Sequence, residues 1–244
     1  MMNSTGTDVE QRCKSGDLWA LGPHRLICAD STQAATIQRL LGDAQPHMVF
    51  ADPPYGINVA KSGKLGKGTG YRPVIGDESN ETALAAYRLC ADFKDAVHIW
   101  WGANYYANGL PNSRCWIVWD KENGTTSFAD GELAWTNIKT SLRIFRHKWN
   151  GAVRASERGQ RRFHPNQKPV MLAVWFYQKY GAPNDIIFDP FIGSGITILA
   201  AETIADNRIV YGCEIDPLYC DVTIARYEAF SGDIAHLLER RDPS

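Results

Sequence analysis

Short apolar segments alternate with amphipathic segments along most of the chain. The apolar segments are rich in Val, Ile, Phe and Trp and have the length of buried β-strands, whereas the segments between them repeat apolar residues at helical spacing. Residues 17–30 predict two short strands around a turn at Gly22-Pro23. Further strands are predicted at HMVFAD, AVHIWWGA, RCWIVWD, DIIFDP and RIVYGCEID. Helices are predicted within 32–42 and at ETALAAYRLCADF, KPVMLAVWFYQKYG, GITILAAETIAD and PLYCDVTIARYEAF. Strands that alternate with helices indicate an α/β fold with a mostly parallel sheet.

Length and composition favour one globular domain. A chain of 244 residues with 44% apolar and 22% charged residues can bury a substantial core, so we expect a single domain over residues 1–244. No run of about 18 apolar residues occurs, and the N-terminal stretch lacks the apolar core of a secretory signal, which predicts a cytoplasmic protein with no membrane partner. The six cysteines form no C-x-x-C pair and have no metal-like spacing with histidine. We therefore expect reduced, buried thiols and no metal site.

Charge is distributed unevenly although the net charge is only -1. Residues 139–168 contain nine Lys or Arg against one acid, whereas residues 169–244 contain five basic residues against eleven acids. A basic block of this density favours a surface that faces phosphates over an ordinary solvated face. The glycine-rich and basic segment 61–72 cannot pack a core, and two interpretations of it stay open: a linker, or a mobile lid over a site that binds an anion.

A glycine turn joins the predicted strand DIIFDP to the helix that follows it. Gly193 and Gly195 let the backbone turn tightly and let a ligand approach the helix N-terminus. Glu214 ends the next strand, 19 residues beyond Gly195, where an acid is placed to bind ribose hydroxyls. The third glycine of a dinucleotide site is absent, which disfavours an NAD enzyme. The pattern favours a nucleoside without a pyrophosphate, such as S-adenosylmethionine.

The stretch MVFADPPYGI, residues 48–57, ends a predicted strand on a carboxylate, two prolines and an aromatic ring. Ligands of open α/β sheets bind beyond the carboxyl ends of the strands, so Asp52 lies where chemistry is expected. The exocyclic amino group of a base is a poor nucleophile because its lone pair is delocalised into the ring. Asp52 and the carbonyl of Pro53 can each accept one of its N–H bonds, which frees the lone pair for attack on a methyl sulfonium, while Tyr55 offers a stacking surface. A proline-rich turn after a strand is the alternative for this motif taken alone.

Together the two motifs resemble those of the DNA amino-methyltransferases, which modify adenine N6 or cytosine N4. Asp52-Pro-Pro-Tyr55 precedes Asp189-Pro-Phe-Ile-Gly-Ser-Gly195, which is similar to the β-type order of that family. HPNQKP at 164–169 and ICADST at 27–32 are similar to family segments beside the cofactor, and the resemblance extends from about residue 16 to 230. It implies a Rossmann-like, S-adenosylmethionine-dependent methyltransferase fold with circularly permuted motifs and a mostly parallel, seven-stranded sheet flanked by helices.

The resemblance also assigns roles to individual residues. A flipped base would be held by Asp52, Pro53, Pro54 and Tyr55. The cofactor would be bound by Asp30, Ser31, Lys168, Asp189, Pro190, Phe191, Gly193, Ser194, Gly195, Glu214 and Asp216. Within the family, Asp at the first motif position goes mainly with adenine and Ser mainly with cytosine, so adenine N6 is favoured. Cytosine N4, an RNA base, and an inactive DNA-binding module on the same fold stay open.

Double-stranded DNA is the partner that this reading implies, because a base inside a duplex must be extruded before its amino group can react. The basic residues expected to contact DNA are Lys139, Arg143, Arg146, Lys148, Arg154, Arg158, Arg161 and Arg162. The only stretch left for target recognition is a short segment at about 121–163, so we expect a homodimer or limited sequence specificity. Its aromatic residues Trp135, Phe145 and Trp149 can equally be core. The resemblance also implies a role in restriction-modification, so a restriction nuclease is a further candidate partner.

Overall fold

The computed structural model describes residues 9–57, 74–124, 126, 129–150, 153–159, 163 and 167–241. Its strands are β1 Leu18–Leu21, β2 His24–Cys28, β3 Met48–Ala51, β4 Val97–Trp101, β5 Trp116–Asp120, β6 Gly131–Thr136, β7 Arg143–Arg146, β8 Trp149–Asn150, β9 Val153–Arg154, β10 Ile186–Asp189, β11 Ile209–Glu214 and β12 His236–Glu239. Its α-helices are α1 Ala34–Leu41, α2 Glu81–Cys90, α3 Val170–Tyr180, α4 Ile196–Ile204 and α5 Pro217–Ser231. Two short 3₁₀ turns, Ala103–Tyr105 and Ala107–Gly109, follow β4.

The main sheet has ten strands in the order β12-β1-β2-β11-β10-β3-β4-β6-β5-β7. Its centre, from β2 to β4, is parallel, whereas β1 and β12 at one edge and β6 near the other run antiparallel to their neighbours. The predicted α/β fold is confirmed, but the expected seven strands are wrong because the sheet is larger and mixed. Of the strands that the sequence did not predict, β8 and β9 have only two residues each, and β7 and β12 carry exposed residues that give no apolar run.

Every parallel strand of the centre ends at the same edge of the sheet, and this edge collects the predicted site. Asp52 follows β3, and Asp189 and Glu214 are the last residues of β10 and β11. Since β10 pairs with both β3 and β11, the segment that carries Asp52 and the glycine turn lie side by side although they are more than a hundred residues apart. The order along the chain is permuted, but the spatial order is the one expected of an open α/β sheet.

Helices cover both faces of the sheet, and alternate side chains of a strand enter opposite cores. On β4, Trp101 packs into the core beneath α3, where its ring lies 5.9 Å from that of Phe176. Its neighbour Trp100 packs into the opposite core with Val49 and Phe188. Both tryptophans are fully buried, so β4 is fixed on both faces at the point where the chain turns toward the site.

The predicted recognition segment 121–163 contributes β6 and β7 to the main sheet and the two-stranded β8–β9 ribbon. Trp135, Phe145 and Trp149 are all buried, so they belong to the core rather than to an exposed recognition surface. Segment 61–72, for which the sequence allows either a lid or a linker, lies outside the described residues. Within the part of the chain that is described, no helix combines the length and the apolar character needed to cross a membrane.

Candidate active site

A cavity of about 290 Å³ opens where β2, β3, β10 and β11 end. The predicted site residues that line it are Asp30, Asp52, Pro53, Pro54, Lys168, Asp189, Phe191, Gly193, Ser194, Glu214 and Asp216. Four others, Ser31, Tyr55, Pro190 and Gly195, do not contribute to the described lining. The cavity is therefore bordered by the Asp-Pro-Pro segment on one side and by the glycine turn and Glu214 on the other.

The glycine turn has a shape that only glycine supports. Gly193 and Gly195 have φ of +54° and +78°, in the left-handed region. A Cβ on Gly195 would lie 2.8 Å from Cγ2 of Thr223, whose hydroxyl donates to the carbonyl of Gly193 at 2.8 Å. Asp189 closes the other side of the turn, where it accepts the backbone N–H of Phe191 at 3.0 Å and the hydroxyl of Thr197 at 2.8 Å. The turn thus brings the start of α4 to the cavity.

Glu214 connects this turn to the next strand. One carboxylate oxygen accepts the backbone N–H of Gly193 at 3.1 Å, and the other accepts that of Asp216 at 2.8 Å. Burial raises the pKa of Glu214 to about 7, although these hydrogen bonds oppose the shift and the charge of Asp216 adds to it. Burial likewise raises the pKa of Asp189 to about 7. The carboxylate of Glu214 is thus held in one orientation at the cavity wall, as a ligand for hydroxyl groups must be.

Asp52 is the first member of a chain of four alternating charges. Its Oδ2 lies 2.5 Å from Nζ of Lys168, which also lies 3.1 Å from Oε2 of Glu132. The other oxygen of Glu132 lies 2.5 Å from Nζ of Lys121. Two carboxylates and two ammonium groups balance, and the side chain of Lys168 is only 3% exposed. Sequence reasoning found Asp52 and Lys168 but missed Glu132, the second residue of β6, and Lys121, which directly follows β5.

The protonation of this chain follows from burial and charge. Burial raises the pKa of Asp52, and Lys168 opposes that shift. Burial acts in the same direction on Glu132, but Lys168 and Lys121 outweigh it and lower its pKa to about 2. Burial disfavours the charged form of Lys168, but Asp52 and Glu132 outweigh it and raise the Lys168 pKa. Lys168 is therefore an ammonium and Glu132 a carboxylate at neutral pH.

The turn after the two prolines is built around a buried acid that the sequence did not single out. Asp77 is 4% exposed, and its Oδ1 accepts three successive backbone N–H groups, those of Tyr55 at 3.2 Å, Gly56 at 2.9 Å and Ile57 at 3.2 Å. Gly56 has φ of +90°, which lets these amides converge. One carboxylate oxygen thus fixes the backbone that carries Tyr55, and Asp77 is a positioning residue for the motif.

The ring of Tyr55 is packed by residues that follow β4. A Cβ on Gly102 would lie 2.2 Å from Cε1 of Tyr55, so only glycine admits the ring at this approach. The ring of Tyr105 is stacked on that of Tyr55, with centroids 4.9 Å apart and planes 13° apart. Tyr105 is 54% exposed, whereas its neighbour Tyr106 is fully buried. The adjacent tyrosines Tyr105-Tyr106 are the sequence signal for this contact, but they do not indicate which of the two rings stacks on Tyr55.

The predicted DNA-binding residues that the structure describes lie at two opposite edges of the sheet and on the β8–β9 ribbon, so these six do not form one surface. β7 runs parallel to β5, so Arg146 lies at the edge of the sheet that carries the site, where it meets Asp120 at 3.5 Å, and Lys148 follows it in an exposed position. Arg143 lies toward the opposite edge. Lys139 follows β6, which runs antiparallel to β4, and it lines a second cavity at that opposite edge.

Two further predicted DNA contacts, Arg154 and Arg158, lie in and after strand β9 of the two-stranded ribbon. Arg154 is 9% exposed, with its guanidinium carbon 5.3 Å from the ring centroid of Trp149. Arg158 is exposed, and its Nε donates to the carbonyl of Arg154 at 2.9 Å. Arg161 and Arg162 lie outside the described residues. Arg146, Lys148 and Arg158 are therefore the exposed described members of the predicted set on which a phosphate contact near the site can be tested.

Asp77→Ala is expected to lower the turnover rate at this site by about 10- to 100-fold at saturating ligand. It leaves three partly buried backbone N–H groups without their acceptor and frees the backbone that holds Tyr55. Asp77→Asn keeps an acceptor oxygen and is expected to recover most of the rate. Asp95→Ala removes an exposed carboxylate and serves as the matched control. Single-turnover rates and cofactor dissociation constants are measured together. A uniform loss of rate and cofactor binding in Asp77→Ala, with no recovery in Asp77→Asn, would contradict a positioning role.

Curated relatives of known type match parts of the chain. The type II methyltransferase M.BglII of Bacillus subtilis is 39% identical over 70 residues, which are 29% of this chain and 18% of that protein. The type II methyltransferase M.HinfI of Haemophilus influenzae is 27% identical over 137 residues, which are 45% of this chain and 38% of that protein. The matches thus span less than half the length of these relatives.

Solved structures match the fold over most of the chain. The M1.HpyAVI–SAM complex is 19% identical, with a TM-score of 0.54, over 82% of this chain and 97% of that chain. The cytosine-N4-specific PvuII DNA methyltransferase is 14% identical, with a TM-score of 0.53, over 86% of this chain and 91% of that chain. At these identities the structures show that the fold is shared.

A family model identifies the chain. The model of the N6_N4_Mtase family, described as DNA methylase, matches residues 46–225. This range includes both the Asp-Pro-Pro-Tyr motif and the glycine turn that border the cavity. Since the match covers well over half of the sequence, the protein belongs to the N6_N4_Mtase family of DNA methylases.

Proposed function

We propose that this protein is an S-adenosylmethionine-dependent DNA methyltransferase that modifies the exocyclic amino group of a flipped base, preferentially adenine N6. The observation that carries the proposal is that one cavity is bordered both by Asp52-Pro53-Pro54 and by the glycine turn with Glu214. A methyl donor and an amino acceptor must meet in one enclosed space, and each wall of this cavity suits one of them. Membership of the family and the fold shared with the M1.HpyAVI–SAM complex support the proposal.

The cofactor wall has the chemistry that S-adenosylmethionine requires. The fixed carboxylate of Glu214 suits ribose hydroxyls, and the glycine turn at Gly193 lets a ligand come close to the backbone. Phe191 and Ile215 add apolar surface to the lining, and Asp30, two residues after β2, adds an acceptor. When bound, S-adenosylmethionine supplies the electrophilic methyl group.

The amino-group wall holds and orients the nucleophile. Lys168 occupies Oδ2 of Asp52, which leaves Oδ1 to accept one N–H of the base. The carbonyl of Pro53 accepts the second N–H, and the rigid proline backbone keeps it in place. Two acceptors favour a tetrahedral nitrogen whose lone pair points to the methyl carbon, so the acceleration comes from orientation and electrostatic placement.

Tyr55 is the surface on which the flipped base would stack, and Tyr105 now stacks on that ring. Two rings whose centroids are 4.9 Å apart leave no room for a third ring between them, because stacked aromatic planes need about 3.5–4 Å each. Tyr105 is exposed to solvent. We therefore infer that its ring moves off the ring of Tyr55 when the base enters, and either leaves the site or stacks on the outer face of the base. The energy of extrusion, a few kcal/mol, would be partly recovered by this stacking.

The experiment that tests the proposal is methyl transfer from labelled S-adenosylmethionine to duplex DNA, followed by digestion to nucleosides and mass spectrometry. N6-methyladenine is the expected product, and N4-methylcytosine would correct the base while keeping the reaction. RNA of the same sequence is the competing substrate, and labelling of RNA alone would overturn the proposal. Binding of DNA without transfer to any substrate would favour an inactive DNA-binding module.

Cofactor affinity is expected to fall about tenfold as the pH is lowered from 8 to 6, because Glu214 titrates with a pKa of about 7. Burial raises this pKa, so the free protein holds the proton below pH 7, whereas a ribose hydroxyl that donates to Glu214 requires the carboxylate. Binding therefore releases a proton at low pH. Calorimetry from pH 6 to 8 measures the slope, and Glu214→Gln is expected to bind weakly with a flat profile. If cofactor affinity in Glu214→Gln still depended on pH as in the wild type, Asp189 rather than Glu214 would be the titrating group.

A further inference from the structure

Three cysteines from distant parts of the chain meet behind the cofactor wall. Cys13 lies in the segment before β1, Cys28 ends β2, and Cys220 lies in the first turns of α5. Their three Sγ atoms all lie within 4.8 Å of one another, and the side chains are 7%, 0% and 0% exposed. The separations of 15 and 192 residues carry no motif, which is why the sequence predicted no metal site.

We propose that Cys13, Cys28 and Cys220 form a binding site for a soft monovalent metal ion, Cu(I). Thiolate is the ligand that Cu(I) prefers. Three sulfurs around a metal at about 2.3 Å lie about 4 Å apart, so the observed cluster needs only a small contraction. Zinc takes four ligands, with a water as the fourth where the protein supplies three; within the described residues no further His, Cys, Asp or Glu joins this group, and its side chains are at most 7% exposed. Three ligands therefore favour Cu(I) over zinc.

The cluster is held in place by three independent elements. The backbone N–H of Cys13 donates to Oδ1 of Asp221 at 2.8 Å, next to Cys220 in sequence. Cys28 is fixed by its strand, where it pairs with Glu214 of β11. Cys220 is fixed by α5, whose N-terminal backbone amides favour negative charge. The thiols are therefore organised before any ion arrives, and the helix N-terminus partly offsets the charge of the thiolates.

Binding exchanges protons for the metal. Coordination by three thiolates forms three Cu–S bonds and releases to solvent the proton of each sulfur that carries one in the free protein, with no change in oxidation state. In the free protein, Cys220 donates to the carbonyl of Glu214 at 3.7 Å and Cys28 to that of Ile215 at 3.9 Å. The site thus lies directly behind the cavity, but its existence does not depend on the proposed methyl transfer.

The test is anaerobic titration of the reduced full chain with Cu(I), in competition with a chromogenic copper chelator. One equivalent is expected to bind, with three sulfur neighbours in its X-ray absorption spectrum. Cys13→Ser and Cys220→Ser are each expected to weaken binding by more than about 100-fold, beyond the effect of residues that only support a ligand. Cys90→Ser and Cys115→Ser alter other buried thiols and are the matched controls.

Thermal unfolding of the copper-free variants shows whether each one folds, and Cys13→Ser, at the edge of the cluster, tests the site without altering a strand or helix. Failure of the wild-type chain to retain Cu(I) overturns the proposal. Equal retention in Cys13→Ser and the controls, or a disulfide among the three cysteines in place of bound copper, overturns it as well.

Discussion

Asp52→Ala is expected to lower the single-turnover rate of methyl transfer by about 100- to 1,000-fold, the range found when one positioned hydrogen-bonding group is removed from an active site. The substitution deletes the acceptor that orients the amino group and leaves Lys168 with Glu132 as its only described carboxylate partner. Pro53 keeps one acceptor, so a residual rate is expected. Cofactor binding should change little, because Glu214 and the glycine turn lie on the other wall.

Asp52→Asn and Asp43→Ala make this experiment specific. Asn keeps an acceptor oxygen at position 52 but lacks the charge that pairs with Lys168, so an intermediate rate is expected. Asp43 is exposed after α1, and its substitution removes a carboxylate of the same type away from the cavity. Transfer by Asp52→Ala within about threefold of wild type, with cofactor bound in both, would show that the catalytic assignment of Asp52 is wrong.

The meeting of the two motifs could be predicted from sequence because it follows from a general property of parallel sheets. Strands that read as apolar runs, β3, β10 and β11, each end on an acid or on the residue before one, and parallel strands end at one edge. No knowledge of side-chain packing is needed for that step. The cavity lining accordingly contains most of the predicted cofactor residues.

The residues that the sequence missed act through contacts that no local pattern encodes. Asp77 reaches the motif from a loop 20–22 residues away in the chain. Glu132 reaches Lys168 because β6 lies between β4 and β5 in the sheet. The sequence did not predict β6, so this strand order could not be predicted either. The direction of β6 also decides where Lys139 lies, so a charge count could identify a basic block but not its orientation toward the site.

Lys168→Met is expected to slow methyl transfer by about 10- to 100-fold at pH 7. It is also expected to shift to higher pH the range in which the rate increases with pH. Without the ammonium, Asp52 and Glu132 become neighbouring carboxylates in a buried site, a situation that raises the pKa of one of them. Burial already raises the pKa of Asp52, and loss of Lys168 removes the stronger of the two ammonium groups that oppose that shift, leaving Lys121. Asp52 is then protonated over a wider range and presents its acceptor only at higher pH.

The pH profile separates this role from a purely structural one. Lys168→Arg keeps the charge and is expected to restore a profile close to wild type at a reduced rate, because a guanidinium has a different shape. Lys179→Met makes the same substitution at an exposed position of α3 and controls for the loss of a lysine from this region. Rates are measured from pH 6 to 9.5 beside thermal unfolding. If Lys168→Met loses rate uniformly across that range and unfolds earlier, Lys168 stabilises the fold alone. If the rate recovers as pH rises, the ammonium group of Lys168 controls the protonation of Asp52. The chain of charges from Asp52 to Lys121 then contributes to catalysis.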